Sequence, residues 1–508
     1  MGELSELDTG IVVIYLLAVG SIGIYVARLT RTSTDYFLAG RSIPGWVVGF
    51  SLIGTIAGSG TIIGHPGEVF RSNMWGLATL VMLLPVMGFV ARYVIVFYRR
   101  TVGMSVYGYL EQRFGYFARL YGTLSFALNR ILDVSITFYF LAVAISSLSG
   151  WTIPEVICVV GSLTVVYTLV GGITAVVWTD VAQSLLLIGA GLLCLGVALF
   201  GAGVGPGAVV GHAFDTGKFS WGSWSFSPRS DNVWTFLMLS KVWALQRYAT
   251  DQHMVQRYLI ARSDREAVRG AWMAACVSFP VWFLFATVGA CVWAFYDLQG
   301  GAPAEVLADP SALMPVFIGT ELSTGAIGLI VAAVLAAAMS SLDSDMNSIA
   351  TAVVDDCYNR LRPEADDRAR LRVGRWVVCA SGALSVGAAL QWVGVQSAVG
   401  LMTELFSVAA AGVLGLFLVG MLMPSVDRRG AGVAIGVTVV FTAWSTATAV
   451  TIPALGNPLL DLGSYNYDLN TKLIGVIGTL LFVAVAWTAR DRSAVPSVLT
   501  IRSQEKAA

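Results

Sequence analysis

Apolar residues in this chain gather in long blocks separated by short polar connections. A helix needs about 20 predominantly apolar residues to cross a bilayer. Blocks of that order fall at roughly 10–27, 44–64, 74–98, 117–148, 153–173, 181–203, 232–250, 270–296, 324–350, 373–395, 399–423, 430–452 and 471–489. Lipid cannot satisfy backbone N–H and C=O groups, so such blocks predict helices. The expected fold is an all-α polytopic membrane protein of about 13 transmembrane helices.

Two blocks depart from a plain apolar helix. The second reads GFSLIGTIAGSGTIIGHPGEVF, with Gly58, Ser59, Gly60 and Thr61 at its middle. Glycine weakens a helix, and unwound backbone survives in a bilayer only where it is buried in protein or lines a cavity. Transporters use such breaks to offer carbonyls to cations and helix N-termini to anionic groups. Close helix packing through Gly54 and Gly58 is the alternative. The seventh block, NVWTFLMLSKVWALQRYATDQHMVQRYL, carries Lys241, Gln246, Arg247, Thr250 and Asp251. Two irregular helices five spans apart suggest two five-helix repeats of opposite topology. They would cover 44–203 and 232–423, after an extra helix and first cytoplasmic loop at 1–43 and before two peripheral helices at 424–489 and a tail at 490–508.

Charges and hydroxyls inside the blocks narrow the chemistry, because an intramembrane carboxylate is costly unless paired. In AAVLAAAMSSLDSDMNSIATAVVDD, Ser340, Asp343 and Ser344 share one helix face. Ser340 and Ser341 point apart and can serve neighbouring sites. Hydroxyl, carboxylate and carbonyl oxygens suit hard cations, whereas serines alone also serve packing. Asp345, Asp355 and Asp356 fall toward the cytoplasmic end of that helix. Asp180 opens the sixth block, as a helix N-terminal carboxylate or as part of a site. Asp133 and Arg130 are three apart and can pair with each other or meet a substrate.

Composition agrees with the membrane: 56% of residues are hydrophobic and 12% charged, with a mean hydropathy of +0.75. A net charge of zero argues against a nucleic-acid partner. Six scattered cysteines and three histidines form no metal spacing, and no nucleophile motif stands out, which argues against an enzyme. The acidic start, MGELSELDTG, lacks a basic leader, so the first span is expected to stay. Basic residues follow the first, third, seventh, ninth and eleventh spans, while 297–323 has no Lys or Arg. By the positive-inside rule the N-terminus lies outside and the C-terminus in the cytoplasm of a multi-pass plasma-membrane protein. The aromatic-rich outer segment beginning KFSWGSWSFSP is an interfacial anchor or a lid.

Four segments in order, DYFLAGRS (35–42), GGITAVVWTDVAQ (171–183), TDQHMVQRYL (250–259) and AAAMSSLDSDMNS (336–348), resemble the sodium/solute symporter family. That family includes the sodium–glucose, sodium–proline and sialic-acid symporters. The resemblance implies the inverted-repeat fold of the leucine-transporter type and sodium-coupled uptake of a small solute. No obligatory protein partner is evident in the sequence. The family's principal sodium site maps to the backbone oxygens of Gly54, Ala57 and Ala337 and the hydroxyls of Ser340 and Ser341, and all five positions match. A second cation in some members maps to Asp180, Ser340 and positions 343 and 344. Ser344 fits, but Asp343 stands where the family has Ser or Thr, which adds a carboxylate and opens proton coupling or a tighter second sodium.

The substrate positions match less well. The polar side chains of the sugar transporters are replaced by Ile56, Gly58, Gly60 and Thr61 in the broken helix. Their aromatic gate aligns with Arg247 and their lysine with Ser278, while their glutamine and glutamate align with Thr403 and Glu404. The sialic-acid transporters' arginine aligns with Asp133. The run from Gly58 to Thr61 resembles the carboxylate cradle of amino-acid transporters of this fold. Arg247, next to Gln246, can clamp a carboxylate, and Asp133 or Glu404 can receive an ammonium. The expected solute therefore bears a carboxylate or is zwitterionic, with a sugar as the alternative and a membrane sensor as a distant one. Pairing of Arg247 with Asp133 or Glu404 would undo the clamp.

Overall fold

The computed structural model describes residues 4–27, 32–393, 412–452, 457–493 and 499–501. It is nearly all helix. The long elements are α1 (Glu6–Ala27), α2 (Gly45–Ile56), α3 (Ser59–Arg71), α4 (Tyr116–Ser149), α5 (Ile153–Phe200), α6 (Val233–Ala249) and α7 (Gln252–Ile260). They continue with α8 (Asp264–Leu298), α9 (Ala326–Val353), α10 (Asp367–Ala389), α11 (Gly412–Leu422), α12 (Arg428–Ala449) and α13 (Ile474–Thr488). Among the described residues the strands are one pair of two residues each, Thr451–Ile452 and Asn457–Pro458.

Seven of the described helices are long and apolar enough to cross a membrane, or eight if the bent pair α2–α3 is one span. The expected thirteen is not reached on length and composition, for identifiable reasons. The block at 74–98 is cut into short turns, Met74–Leu77, Ala78–Val81, Leu83–Phe89 and a π-turn at Val90–Val94. Asn73 starts the cut by accepting from the Trp75 amide at 3.1 Å, and Pro85 offers no amide to a regular ladder. The blocks at 153–173 and 181–203 form one 48-residue element bent at Gly172 (φ 61°, ψ 179°). There a side chain would strike Tyr36, whose Cδ2 lies 2.8 Å from where a Cβ would stand. Part of the block at 399–423 lies outside the described residues.

Large apolar side chains on the outer helices face outward. Leu163, Phe200, Trp376, Leu384, Val440 and Leu480 are each between 61% and 72% exposed. A surface of that kind requires a lipid cover. Inside it sits α9: 83% of its most apolar stretch is buried, against 28% in α12. It packs on α1, α4, α5 and α10, while α8 packs on α2 and α3. The α8 contacts are backbone to backbone. A Cβ added to Gly270 would come 2.7 Å from the Gly45 carbonyl oxygen, and one added to Gly289 would come 2.5 Å from that of Pro66.

The segments that carry the family resemblance interlock. Thr32 and Asp35 cap each other's amides at 3.1 Å at the start of the DYFLAGRS turn. Ile43, just beyond that turn, donates to the Ile260 carbonyl at 3.1 Å and accepts from the Arg262 amide at 3.0 Å. This clasp holds α7, every residue of which is buried. Gln252 reaches the Met104 carbonyl and the Val106 amide at 2.7 Å each, and Gln256 reaches the Phe37 carbonyl at 2.7 Å. In the aromatic-rich outer segment Trp224 and Phe226 are 60% and 66% exposed, as a headgroup-level anchor would be.

Candidate functional site

The helix break sets the geometry. α2 stops at Ile56 because Ala57 (φ −90°, ψ 79°) and Gly58 (φ −83°, ψ −171°) leave helical space. α3 then departs at 69° to α2. The carbonyls before the break turn toward α9: the Ser341 hydroxyl donates to the Thr55 oxygen at 3.2 Å and lies 3.5 Å from the Gly54 oxygen. A Cβ on Gly54 would fall 2.7 Å from Ser340 Oγ and 2.8 Å from Ser184 Oγ. The cradle therefore exists only because position 54 has no side chain. Ala57 is buried beside it, and Ala337 is buried one turn before Ser341 on α9.

Next to this cradle lies a buried carboxylate. Asp180 is not at a helix start; it sits eight residues into the run from Gly172, fully buried. Its Oδ1 accepts from the Ser340 hydroxyl. Its Oδ2 accepts from Ser51 Oγ at 2.5 Å and from Arg257 Nη2 at 3.1 Å. Arg257 also donates to Ser344. Asp343 turns elsewhere, with Oδ1 on the Thr168 hydroxyl and Oδ2 without a hydrogen bond among the described residues. So Asp180, Ser340 and Ser344 come together, and Asp343 does not join them.

A cavity of about 200 Å³ opens on the other side of the break. Thr55, Gly58, Gly60, Thr61, Asp133, Gln246, Arg247 and Ser341 line it, with Phe140, Trp243 and Trp282 among its aromatic walls. Thr55 and Ser341 thus belong both to the cradle at the break and to the cavity wall. Ser278 is buried on α8 and does not line this space. Thr403 and Glu404 lie outside the described residues.

The free clamp expected of Arg247 is corrected by the structure. Arg247 Nη1 lies 3.2 Å from Asp133 Oδ2, and the same oxygen meets Arg130 Nη1 at 2.5 Å. A carboxylate already shared by two guanidiniums is a poor receptor for a substrate ammonium. Asp345 lies 3.6 Å and Asp251 3.7 Å from Arg130. Just beyond α9, in the π-turn Val354–Tyr358, Asp356 accepts from Arg119 Nε at 2.6 Å and Ser105 Oγ at 2.8 Å, a structural tie.

Sequence reasoning missed Ser51, Thr55, Thr168, Ser184 and Arg257. One signal was available for Arg257: a carboxylate inside a membrane helix requires a cation, and TDQHMVQRYL carries one.

A nearly all-helical bundle with a lipid-facing surface, a broken helix and an oxygen-lined cradle against a cavity is the build of an ion-coupled membrane transporter. The sequence model of the sodium:solute symporter family matches residues 36–437. The chain belongs to that family, as a sodium-coupled symporter and not an enzyme. It is 30% identical to the sodium/sialic acid symporter SiaT of Proteus mirabilis, over 92% of each chain. It is 29% identical to the sodium/sialic acid symporter NanT of Aliivibrio fischeri, over 93% of this chain and 90% of that one. The solved substrate-bound, outward-open structure of a Na+-coupled sialic acid symporter superimposes with a TM-score of 0.85, at 28% identity, covering 97% of this chain and 99% of that chain.

Proposed function

We propose that this protein takes up a small carboxylate-bearing organic solute with sodium held at the break of α2–α3. The observation that carries the reading is the Ser341 hydroxyl, 3.2 Å from the Thr55 carbonyl and 3.5 Å from that of Gly54, on the wall of the cavity. The carbonyls of Gly54, Ala57 and Ala337 with the hydroxyls of Ser340 and Ser341 supply hard oxygen donors for the ion. A cation there ties α2 to α9 and orders the cavity wall that they share. It biases the protein toward the solute-binding state only by its differential affinity for the two states.

The carboxylate reading rests on Arg247 by a different route from a free clamp. Asp133 keeps its closer partner, Arg130 at 2.5 Å, when Arg247 is drawn away. A solute carboxylate can therefore exchange for Asp133 on Arg247 without stranding a buried charge. Gln246, Gly60 and Thr61 stand on the same cavity. Since Asp133 keeps Arg130 as its partner at 2.5 Å, an organic or sugar acid fits better than an amino acid. That two relatives are sialic acid symporters supports this, because sialic acid bears a carboxylate. The repeats at 44–203 and 232–423, a topology with the N-terminus outside, and a plasma-membrane location complete the reading. The helix break near the start of the first repeat and the α6–α7 break near the start of the second support the paired repeat.

The test is thermal unfolding of the purified protein with sugar acids, monocarboxylates, amino acids and neutral sugars, each in sodium and in potassium. A ligand of the folded state at 100 times its Kd stabilises by about 2.7 kcal/mol. A carboxylate should raise the Tm in sodium alone, and Arg247→Gln should abolish that rise. A neutral sugar acting alone would overturn the solute class. Responses equal in both salts would overturn the cation site.

A further inference from the structure

The second cation set, Asp180, Ser340, Asp343 and Ser344, already contains a positive charge. Arg257 is wholly buried, and each of its guanidinium nitrogens is engaged there. Nη2 meets Asp180 Oδ2 at 3.1 Å and donates to Ser344 Oγ. Nε donates to Ser51 Oγ at 2.8 Å, and Nη1 to the His253 carbonyl at 2.8 Å. A metal ion placed among Asp180, Ser340 and Ser344 would compete for the same oxygens with a like charge beside it, in a buried site that screens little. The fourth member, Asp343, takes its hydrogen bond from Thr168 and, among the described residues, makes none to the other three. Asp180 is satisfied without an ion: its two oxygens meet two hydroxyls and a guanidinium.

We infer that Arg257 is a tethered counter-cation standing in place of a second sodium, so that the protein binds a single sodium ion, at the Gly54–Ser341 cradle. The inference rests on the cradle proposed above. It differs from a purely structural ion pair in what removal does. Taking away a structural arginine only destabilises, whereas taking away a tethered cation uncovers a site. Asp180, Ser340 and Ser344 then offer a carboxylate and two hydroxyls, donors that a hard monovalent cation accepts.

The experiment is equilibrium binding of radioactive sodium to purified protein, with the sodium dependence of uptake into proteoliposomes as a second readout. The wild type should bind one sodium per protein with a Hill coefficient close to one, and Asp180→Asn should keep that bound ion. Arg257→Gln should raise the bound ratio toward two. A wild type that binds two sodium ions and loses one on Asp180→Asn overturns the inference, and needs no Arg257 variant to do so. A folded Arg257→Gln protein that still binds one overturns it as well. No sodium bound by the wild type would instead overturn the cradle, and with it the reading beneath.

Discussion

Arg130 is 2% exposed, and three carboxylates crowd it: Asp133 at 2.5 Å, Asp345 at 3.6 Å and Asp251 at 3.7 Å. Removing one partner of a buried ion pair leaves an uncompensated charge, which costs about 3–5 kcal/mol. Arg130→Met should therefore lower the Tm markedly in scanning fluorimetry. Asp133→Asn made in that background should recover part of the loss. If the single variant melts like the wild type, the cluster carries no structural load. Not all of this chemistry was readable from residue order. Arg130 and Asp133 lie one turn apart, so their pairing could be anticipated. Arg257 could not be matched to Asp180 in that way, because 77 positions separate them and nothing along the chain says which faces meet. The serines of α9 were legible through Ser340 and Ser341, while Ser51 and Ser184, which complete the same pocket, looked like ordinary small residues of a membrane helix.

Elements meet here through missing side chains. The α8–α3 contact depends on Gly289, where a Cβ would stand 2.5 Å from the Pro66 carbonyl oxygen, and backbone cannot yield as a side-chain tip can. Gly289→Val should cost at least the 1–3 kcal/mol typical of overpacking and weaken sodium binding by displacing α3 from α2. Gly196→Val is the matched control, since nothing lies within 4 Å of its added Cβ. Equal melting temperatures for the two variants would contradict the packing. Helix boundaries were less legible than helix existence. Asp180 suggested a helix start, because a carboxylate normally marks the end of an apolar run. The element nonetheless runs through it, since Ser51, Ser340 and Arg257 satisfy that carboxylate inside the bundle. Conversely, the block at 74–98 looked continuous by hydropathy, which does not weigh Asn73 and Pro85 as breakers.

At the scale of the whole molecule, the cradle and the cavity share Thr55 and Ser341, so the sodium and the solute proposed for them should be thermodynamically linked. Whatever factor sodium adds to solute affinity, solute must add to sodium affinity. Couplings between sites run to about 5–150-fold, and a value in that range is expected in both directions. Tryptophan fluorescence titrations in the two orders measure it. Independent affinities would mean that the shared wall transmits nothing. The bundle's membrane character was legible because it depends on composition alone, whereas the position of the cavity depends on how α2, α4, α6 and α8 are brought together.

The Asp180–Arg257 contact also constrains how the protein is made. Ribosomes add about 5–20 residues per second, so the 77 positions between the two residues correspond to roughly 4 to 15 seconds of synthesis. During that interval a helix bearing a bare carboxylate must be handed to the lipid, or sheltered, before its neutralising partner exists. Insertion of α5 is therefore provisional until α7 arrives. The first half of this protein is not a finished piece awaiting a second, because its most buried charge is settled only by the chain that follows.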